Sequence, residues 1–245
     1  MLMEQVEENR VHVISRADVR VLPGPLPYAE GNRASIAENW ARECAANPTL
    51  FDGEVYLAPE ATLKDGVLQA GFKRTRFATL MHWRRDPSPI RPWHIFSVGV
   101  IVSGEGHLIA ARMGQQNAVA GKVYFPAGSI DDNDIFDARV DYDANCRREV
   151  REETGIDLAD ARAETQINLV TGNRSIALFR RYYFDVPSCD LVARIEGYLS
   201  REAAPELAEI IPVKAAGMMN EATPSYVRAF ADWHFGNPGL AGTDR

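Results

Sequence analysis

The residues best suited to chemistry lie in one run, Arg148-Glu149-Val150-Arg151-Glu152-Glu153-Thr154-Gly155-Ile156. On a helix turning about 100° per residue, Glu149, Glu152 and Glu153 fall within an arc of about 100°. Cys146 and Val150 lie beside that arc as a narrow apolar seam able to pack on a sheet. Arg147, Arg148 and Arg151 fill the rest of the circle, and Arg148 stands one turn before Glu152, close enough to brace it. Three carboxylates at this spacing repel by ~0.2–0.5 kcal/mol per pair on an exposed helix. They also occupy the negative end of the helix dipole, just before Gly155, a helix-ending residue. A bound divalent cation would reverse both penalties, and oxygen donors without histidine or cysteine suit magnesium or manganese. Residue types alone leave a second reading open, a solvated helix end rich in glutamate.

The elements that must position these residues divide into two regions. In the first, Val11–Val21 alternates in apolar character before a Pro/Gly stretch, and Ala29–Ala46 carries Ile36, Trp40 and Cys44 at helical spacing. Gly53–Leu57 and Gly66–Phe72 read as strands, and Arg84 to Pro92, with three prolines, reads as a linker. The second region opens on a buried strand, His94–Ser103, with His107–Met113 as its hairpin partner and Lys122–Phe125 as a short strand before Pro126-Ala127-Gly128. The acidic helix follows, then strands at Thr165–Val170 and Ile176–Val186, a helix over Leu191–Arg201, a strand at Ile210–Val213 and a closing helix over Ser225–Phe235. Mixed strands with few helices indicate an α+β fold.

The nine-residue run resembles the second half of the Nudix box, Arg-Glu-U-x-Glu-Glu-x-Gly-U with U aliphatic, at all seven specified positions. The resemblance covers about Trp93 to Val213 and implies a Nudix α/β/α sandwich with a mixed sheet, over 91–245, beside a smaller N-terminal α/β module, 1–90. It implies a metal-dependent hydrolase that cleaves the pyrophosphate linkage of a nucleoside diphosphate joined to another moiety. Magnesium or manganese would be held by Glu152 and Glu153, with Glu149 as ligand or base-orienting residue and the backbone carbonyl of Ala127 as a further donor. Arg148 would hold a glutamate by a salt bridge, and Gly128 would permit the tight turn that joins loop to helix. The general base varies in the family, and Glu206 and Glu209 are the candidates here.

One departure bears on the site. The usual box puts its arginine fourteen positions after the glycine, whereas Gly128 and Arg148 are twenty apart, a six-residue insertion. Val140 stands where counting back from Arg148 calls for a helper glutamate. Asp134, six after Gly128, could replace it, as could Asp137 or Asp141, while Asp141 and Asp143 are expected to cap the box helix.

The first region is where substrate choice would reside. Its run Asn47-Pro48-Thr49-Leu50-Phe51-Asp52-Gly53 resembles the N-terminal part of Nudix proteins acting on UDP-sugars, with Asp52 replacing an asparagine; Trp40, Leu50 and Phe51 read equally as a small core. A nucleotide sugar is thus the first substrate reading. ADP-ribose and coenzyme A are rivals within the same chemistry, and a non-catalytic nucleotide-sensing module is the alternative from another class. The pair Arg84-Arg85, Arg174, and Arg180-Arg181 could meet phosphates or lie on solvated faces. His82, His94 and His107 have no metal-ligand spacing and read as structural.

The whole chain sets the outer limits. With 46% hydrophobic and 25% charged residues among 245, a sizeable core can form. A net charge of -7 disfavours nucleic acid as a partner but leaves a small nucleotide open. Cys44, Cys146 and Cys189 fit no zinc or disulfide spacing and read as small buried hydrophobes. A polar N-terminus and the lack of any run of about 18 apolar residues argue against a leader or membrane span, so a cytoplasmic protein is expected, with a homodimer left open.

Overall fold

The structure is a computed structural model that describes residues 2–115 and 117–238. Residues 239–245 of the second region lie outside the described residues.

Fourteen strands and six α-helices are described. The N-terminal part contains β1 (His12–Ile14), β2 (Arg16–Val21), α1 (Pro27–Gly31), α2 (Arg33–Ala46), β3 (Glu54–Leu57), β4 (Ala61–Lys64), β5 (Val67–Arg76) and α3 (Phe77–Arg85). The second part continues with β6 (His94–Val102), β7 (Leu108–Met113), β8 (Val123–Tyr124), β9 (Ile135–Phe136), β10 (Arg139–Val140) and α4 (Tyr142–Thr154). It ends with β11 (Arg162–Ala163), β12 (Ile167–Gly172), β13 (Ser175–Tyr183), α5 (Ser188–Leu199), β14 (Leu207–Val213) and α6 (Ser225–Gly236). No helix among the described residues is long and apolar enough to cross a membrane.

The larger sheet runs β1-β12-β13-β6-β7-β14, with β11 on β13 and β8 on β7. It is mixed, because β13 pairs parallel to β6 while its other neighbours run antiparallel. Every residue of β6 is buried, as a central strand covered on both faces requires. Phe96, Val98, Val100 and Val102 face α6 through Val227, Phe230 and Ala231. Ile101 faces the opposite way, toward Cys146 and Val150 of α4 and Leu191 and Ile195 of α5. Helices on both sides of a mixed sheet give the sandwich that the box resemblance implied.

The smaller sheet runs β3-β5-β2-β10-β9, with β4 on β5. The two sheets exchange strands across the division between the regions. β1 pairs with β12 in the larger sheet, and β10 pairs with β2 in the smaller one. A shared core fills the space between them, including Met3, Ile14, Phe72, Trp93, Ile95, Ile130, Tyr142 and Leu169.

Several expectations are corrected. The start of the stretch read as a linker belongs to α3, which ends only at Arg85. The Asp52 carboxylate accepts the N–H of Ala78 at 2.8 Å in the first turn of that helix, where the first N–H groups lack intrahelical partners. Phe51 is 81% exposed and joins no core, although Trp40 does pack edge-on against Phe77. Only Cys146 of the three cysteines is buried, and Cys189 is exposed.

Candidate functional site

The box helix α4 begins and ends on local signals. Asp141 is its N-cap and accepts from the N–H groups of Asp143 and Ala144, both at 3.0 Å. Asp143, also expected to cap, instead bonds Arg147, Arg180 and the Tyr182 hydroxyl. Gly155 closes the helix at φ 71°, the left-handed conformation that glycine adopts without strain. Val150 presses on β6 at Gly99, where an added Cβ would meet it at 2.6 Å. Helix and sheet can therefore approach closely only because that position has no side chain.

This seating turns two of the three box glutamates inward. Glu153 is 8% exposed and Glu149 retains 13% side-chain exposure, whereas the Glu152 side chain is 60% exposed. The glycine loop reaches them: the Pro126 carbonyl accepts the N–H of Gly99, and a Cβ on Gly128 would overlap the Glu149 carboxylate. The φ of Gly128 lies outside the left-handed region, so its role is close approach rather than the turn expected from sequence. The Ala127 backbone works against the rise in the Glu153 pKa that burial causes.

The electrostatics of the pair are unfavourable without a further cation. Burial pushes the Glu149 carboxyl up to about 7; Arg148 pulls it down, while the charges of Glu152 and Asp134 add to the rise. Glu153 is driven well above the carboxylate range by burial, then by the charges of Glu149 and Glu206. It has no cationic partner among the described residues.

Arg148 holds the cluster together. Its guanidinium grips Asp134 through Nη2 at 2.8 Å and Nε at 3.3 Å, and Nη1 contacts Glu149 at 2.7 Å and Glu152 at 3.2 Å. Burial opposes its charge, but the Asp134 hydrogen bond and the surrounding carboxylates outweigh that and raise its pKa. Asp134, 1% exposed, also accepts from Asn145 at 2.9 Å and from the N–H of Asp131 at 3.1 Å. Of the three aspartates that could replace the helper glutamate, Asp134 is the one bonded to Arg148. Asp137 lies in a turn at φ 48°, and Asp141 caps the helix.

The six-residue insertion has a structural identity. It corresponds to residues 135–140, the β9–β10 hairpin, whose turn residues Asp137 and Ala138 both have positive φ. The hairpin leaves the chain after Asp134, joins the smaller sheet through Arg139 opposite Arg20, and returns at the helix cap. Asn145 was missed from sequence. It is fully buried and tied to the Ser97 hydroxyl on β6, which fixes the Asp134 pocket against the sheet.

The remaining candidates separate clearly. Glu206 precedes β14 and bears on Glu153 by its charge. Glu209 is held by Arg112 at 2.7 Å. Arg180 and Arg181 bond Asp143 and Glu164, Arg174 bonds Glu4, and Arg85 bonds Glu43. His82 bonds the Tyr28 hydroxyl and His107 the Ser188 hydroxyl. As the side chains stand, no group of three or more His, Cys, Asp or Glu among the described residues is gathered to hold a metal ion. Arg148 Nη1 lies against both Glu149 and Glu152 instead.

No protein-family model and no curated protein matches the chain. Among solved structures the chain is similar to the MutT protein from Methanosarcina mazei Go1, at 22% identity and TM-score 0.41, over 62% of this chain and 98% of that one. It is also similar to a NUDIX hydrolase from Nitrosomonas europaea, at 18% identity and TM-score 0.37, over 59% and 90% of the two chains. A third is the bifunctional NMN adenylyltransferase/ADP ribose pyrophosphatase from Francisella tularensis, complexed with AMP and Mn ion. There the identity is 12% and the TM-score 0.42, over 64% of this chain and 44% of that one. Likeness this distant leaves the chemistry to be read from the site itself.

Proposed function

We propose that this chain is a Nudix-type pyrophosphohydrolase that requires magnesium or manganese and acts on a nucleoside diphosphate linked to another moiety, a nucleotide sugar first. The observation that carries the reading is the buried, uncompensated Glu153 beside Glu149, whose carboxylate lies against the Cα of Gly128. An isolated buried carboxylate is costly unless a cation or proton offsets it. The donors fit a hard divalent cation: Glu149, Glu152 and Glu153, with the Ala127 carbonyl, offer oxygen alone. When bound, the cation supplies positive charge against the phosphate oxygens and Lewis acidity at phosphorus.

The chain's own residues supply the rest. Water attacks one phosphorus, the bridging P–O bond breaks, and two phosphate monoesters leave. A carboxylate takes the water's proton, and Glu149, which lies against the glycine loop, is the first candidate. Glu206 is the second candidate for that proton. Arg148 is a positioning residue, fixed by Asp134 and fixing Glu149 and Glu152 in turn. The Asn47–Gly53 run supports the nucleotide-sugar preference.

The test is hydrolysis of UDP-glucose, ADP-ribose, NADH and coenzyme A with magnesium, by wild type and Glu152→Gln. The expected result is turnover of UDP-glucose that Glu152→Gln abolishes. Binding without turnover, or turnover indifferent to Glu152→Gln, would overturn the hydrolase reading. Preference for ADP-ribose or coenzyme A would overturn the sugar alone.

A further inference from the structure

The six-residue insertion forms one wall of an open cleft whose other walls belong to the smaller sheet. The cleft measures about 760 Å³, within the range of small-molecule sites. Its apolar sides are Val21 and Leu22, at the end of β2, and Ile135 of the insertion. Backbone bonds fix these sides. The Val21 N–H donates to the Ala138 carbonyl at 2.8 Å, and the Leu22 N–H to the Phe72 carbonyl at 2.9 Å. Its polar side is made by Tyr56 of β3, Arg74 of β5 and Asp132.

The polar groups converge on one oxygen. The Tyr56 hydroxyl and Arg74 Nη2 both donate to Asp132 Oδ1, the arginine at 2.9 Å. Tyr56 is 2% exposed and packs on Phe72, so the core fixes where its hydroxyl points. Arg74 lies over the Tyr56 ring at 5.7 Å and bonds Glu54 at 3.2 Å. Asp132 Oδ2 accepts no hydrogen bond among the described residues, and the side chain is 54% exposed at the cleft. The turn that carries Asp132 also carries the grip on Arg148. Asp131 lies 3.5 Å from Arg148 Nη2, and Asp134 holds that nitrogen at 2.8 Å. Arg148 in turn contacts Glu149 at 2.7 Å. Adjacent residues, with Cα atoms ~3.8 Å apart, thus serve the cleft and the carboxylate cluster.

We infer that this cleft is the subsite for a hydroxylated sugar ring of the substrate, with Asp132 Oδ2 and Arg74 as the pair that selects it. A carboxylate with one oxygen held by two donors presents the other as an acceptor already in place, and ring hydroxyls are the donors it can take. The planar fork of Arg74 can donate to hydroxyl oxygens beside it. Val21, Leu22 and Ile135 offer the apolar surface that suits the C–H face of a sugar ring. A phosphate group fits poorly, because Asp132 and Glu54 bring two negative charges against the one cation, Arg74. The diphosphate is therefore left to the Glu149 side of Arg148. The insertion and the N-terminal part then enter recognition together. The diphosphate rests on the proposed function; the binding of a sugar ring in the cleft does not.

The experiment uses the full chain in EDTA, so that binding is read without turnover. Calorimetry with UDP-glucose, UMP, glucose 1-phosphate and pyrophosphate is compared for wild type, Asp132→Asn and Leu22→Trp. Asp132→Asn keeps Oδ1 for Tyr56 and Arg74 and puts an N–H donor where Oδ2 stood, so its Tm should stay within ~2–4 °C of wild type. UDP-glucose should bind it about tenfold more weakly, as the loss of a hydrogen bond to a charged group requires, while pyrophosphate binding is unchanged. Leu22→Trp adds bulk at a wall position that is 45% exposed and should weaken UDP-glucose likewise. If Asp132→Asn fails to fold, Leu22→Trp decides alone. UMP and glucose 1-phosphate separate the nucleoside ribose from the linked sugar, and the one weakened by the variants is the ring in the cleft. With magnesium, both variants should raise KM for UDP-glucose more than they lower kcat. UDP-glucose binding unmoved by the variants would overturn the inference, as would pyrophosphate binding that falls in step, or no saturable binding of any ring-bearing probe. Binding that depends on Asp132 with no turnover of any substrate would sink the hydrolase reading alone. Turnover lost in Glu152→Gln but indifferent to Asp132→Asn and Leu22→Trp would sink the subsite alone.

Discussion

Gly128→Ala tests the seating of Glu149 directly. The backbone at Gly128 tolerates alanine, because its φ lies outside the left-handed region. The obstacle is the carboxylate: an added Cβ would stand 2.0 Å from Glu149 Cδ and 2.1 Å from both oxygens. Favourable carbon contacts begin near ~3.5 Å, so the group must retreat by about 1.5 Å. The retreat is inexpensive for the fold, because the group ends a flexible side chain and leaves the burial that holds its carboxyl up at about 7. Stability should therefore change by less than about 1 kcal/mol, a Tm shift within ~2–4 °C. Activity should suffer far more, since a misplacement of about 1 Å can cost about a hundredfold. The assay is kcat/KM with magnesium for Gly128→Ala, Glu149→Gln and the double variant, alongside thermal unfolding. The double variant should be no worse than Glu149→Gln alone, because both changes act through one carboxylate. Full activity in Gly128→Ala, or losses that multiply in the double variant, would refute the reasoning.

Three further outcomes follow from the same geometry. Asp134→Ala leaves Arg148 without its buried partner and should cost about 3–5 kcal/mol in urea unfolding, with a double-variant cycle against Arg148→Met recovering much of the loss. A cost near zero would remove Asp134 from the helper role. His94 is held neutral by burial, its pKa lowered to about 3 with Arg84 contributing, so the unfolded chain binds a proton that the folded chain refuses below about 6.5. The stability is complete above that pH and is lost as pH falls toward 3, by up to ~1.4 kcal/mol per unit, and His94→Phe should flatten the difference in urea midpoints between pH 7 and pH 4. Glu206→Gln should lower kcat while Glu209→Gln does not, because Glu209 is tied to Arg112 and Glu206 acts on Glu153; equal effects in steady-state assays would contradict the assignment.

The parts of the site written in local sequence were readable from it. The box helix, its Asp141 cap, its Gly155 stop and the Cys146–Val150 seam each depend on neighbours within a turn or two. Asp134 could be named only as one of three, because the choice is made by a hairpin that pairs with residues more than a hundred positions earlier. Gly128 was identified for the wrong reason, since a conformational signal and a steric one look alike in sequence. Helix α3 was hidden because its anchor is Asp52, 26 positions away from the Ala78 it meets. The same helix separates Arg84 from Arg85, adjacent and identical in type: Arg85 bonds Glu43 at 2.6 Å, and Arg84 donates to Met81 Sδ at 3.8 Å.

The exchange of strands also limits how this chain can be dissected. A fragment beginning at residue 91 would strip β1 from β12 and leave an open sheet edge, a template for self-association. Its β9–β10 ribbon would hang without the strand it needs, and that ribbon starts directly after the residue gripping Arg148. Loss of turnover in such a fragment would therefore report a collapsing scaffold as readily as a lost specificity element, so single substitutions on the intact chain are the sounder probe of its N-terminal half.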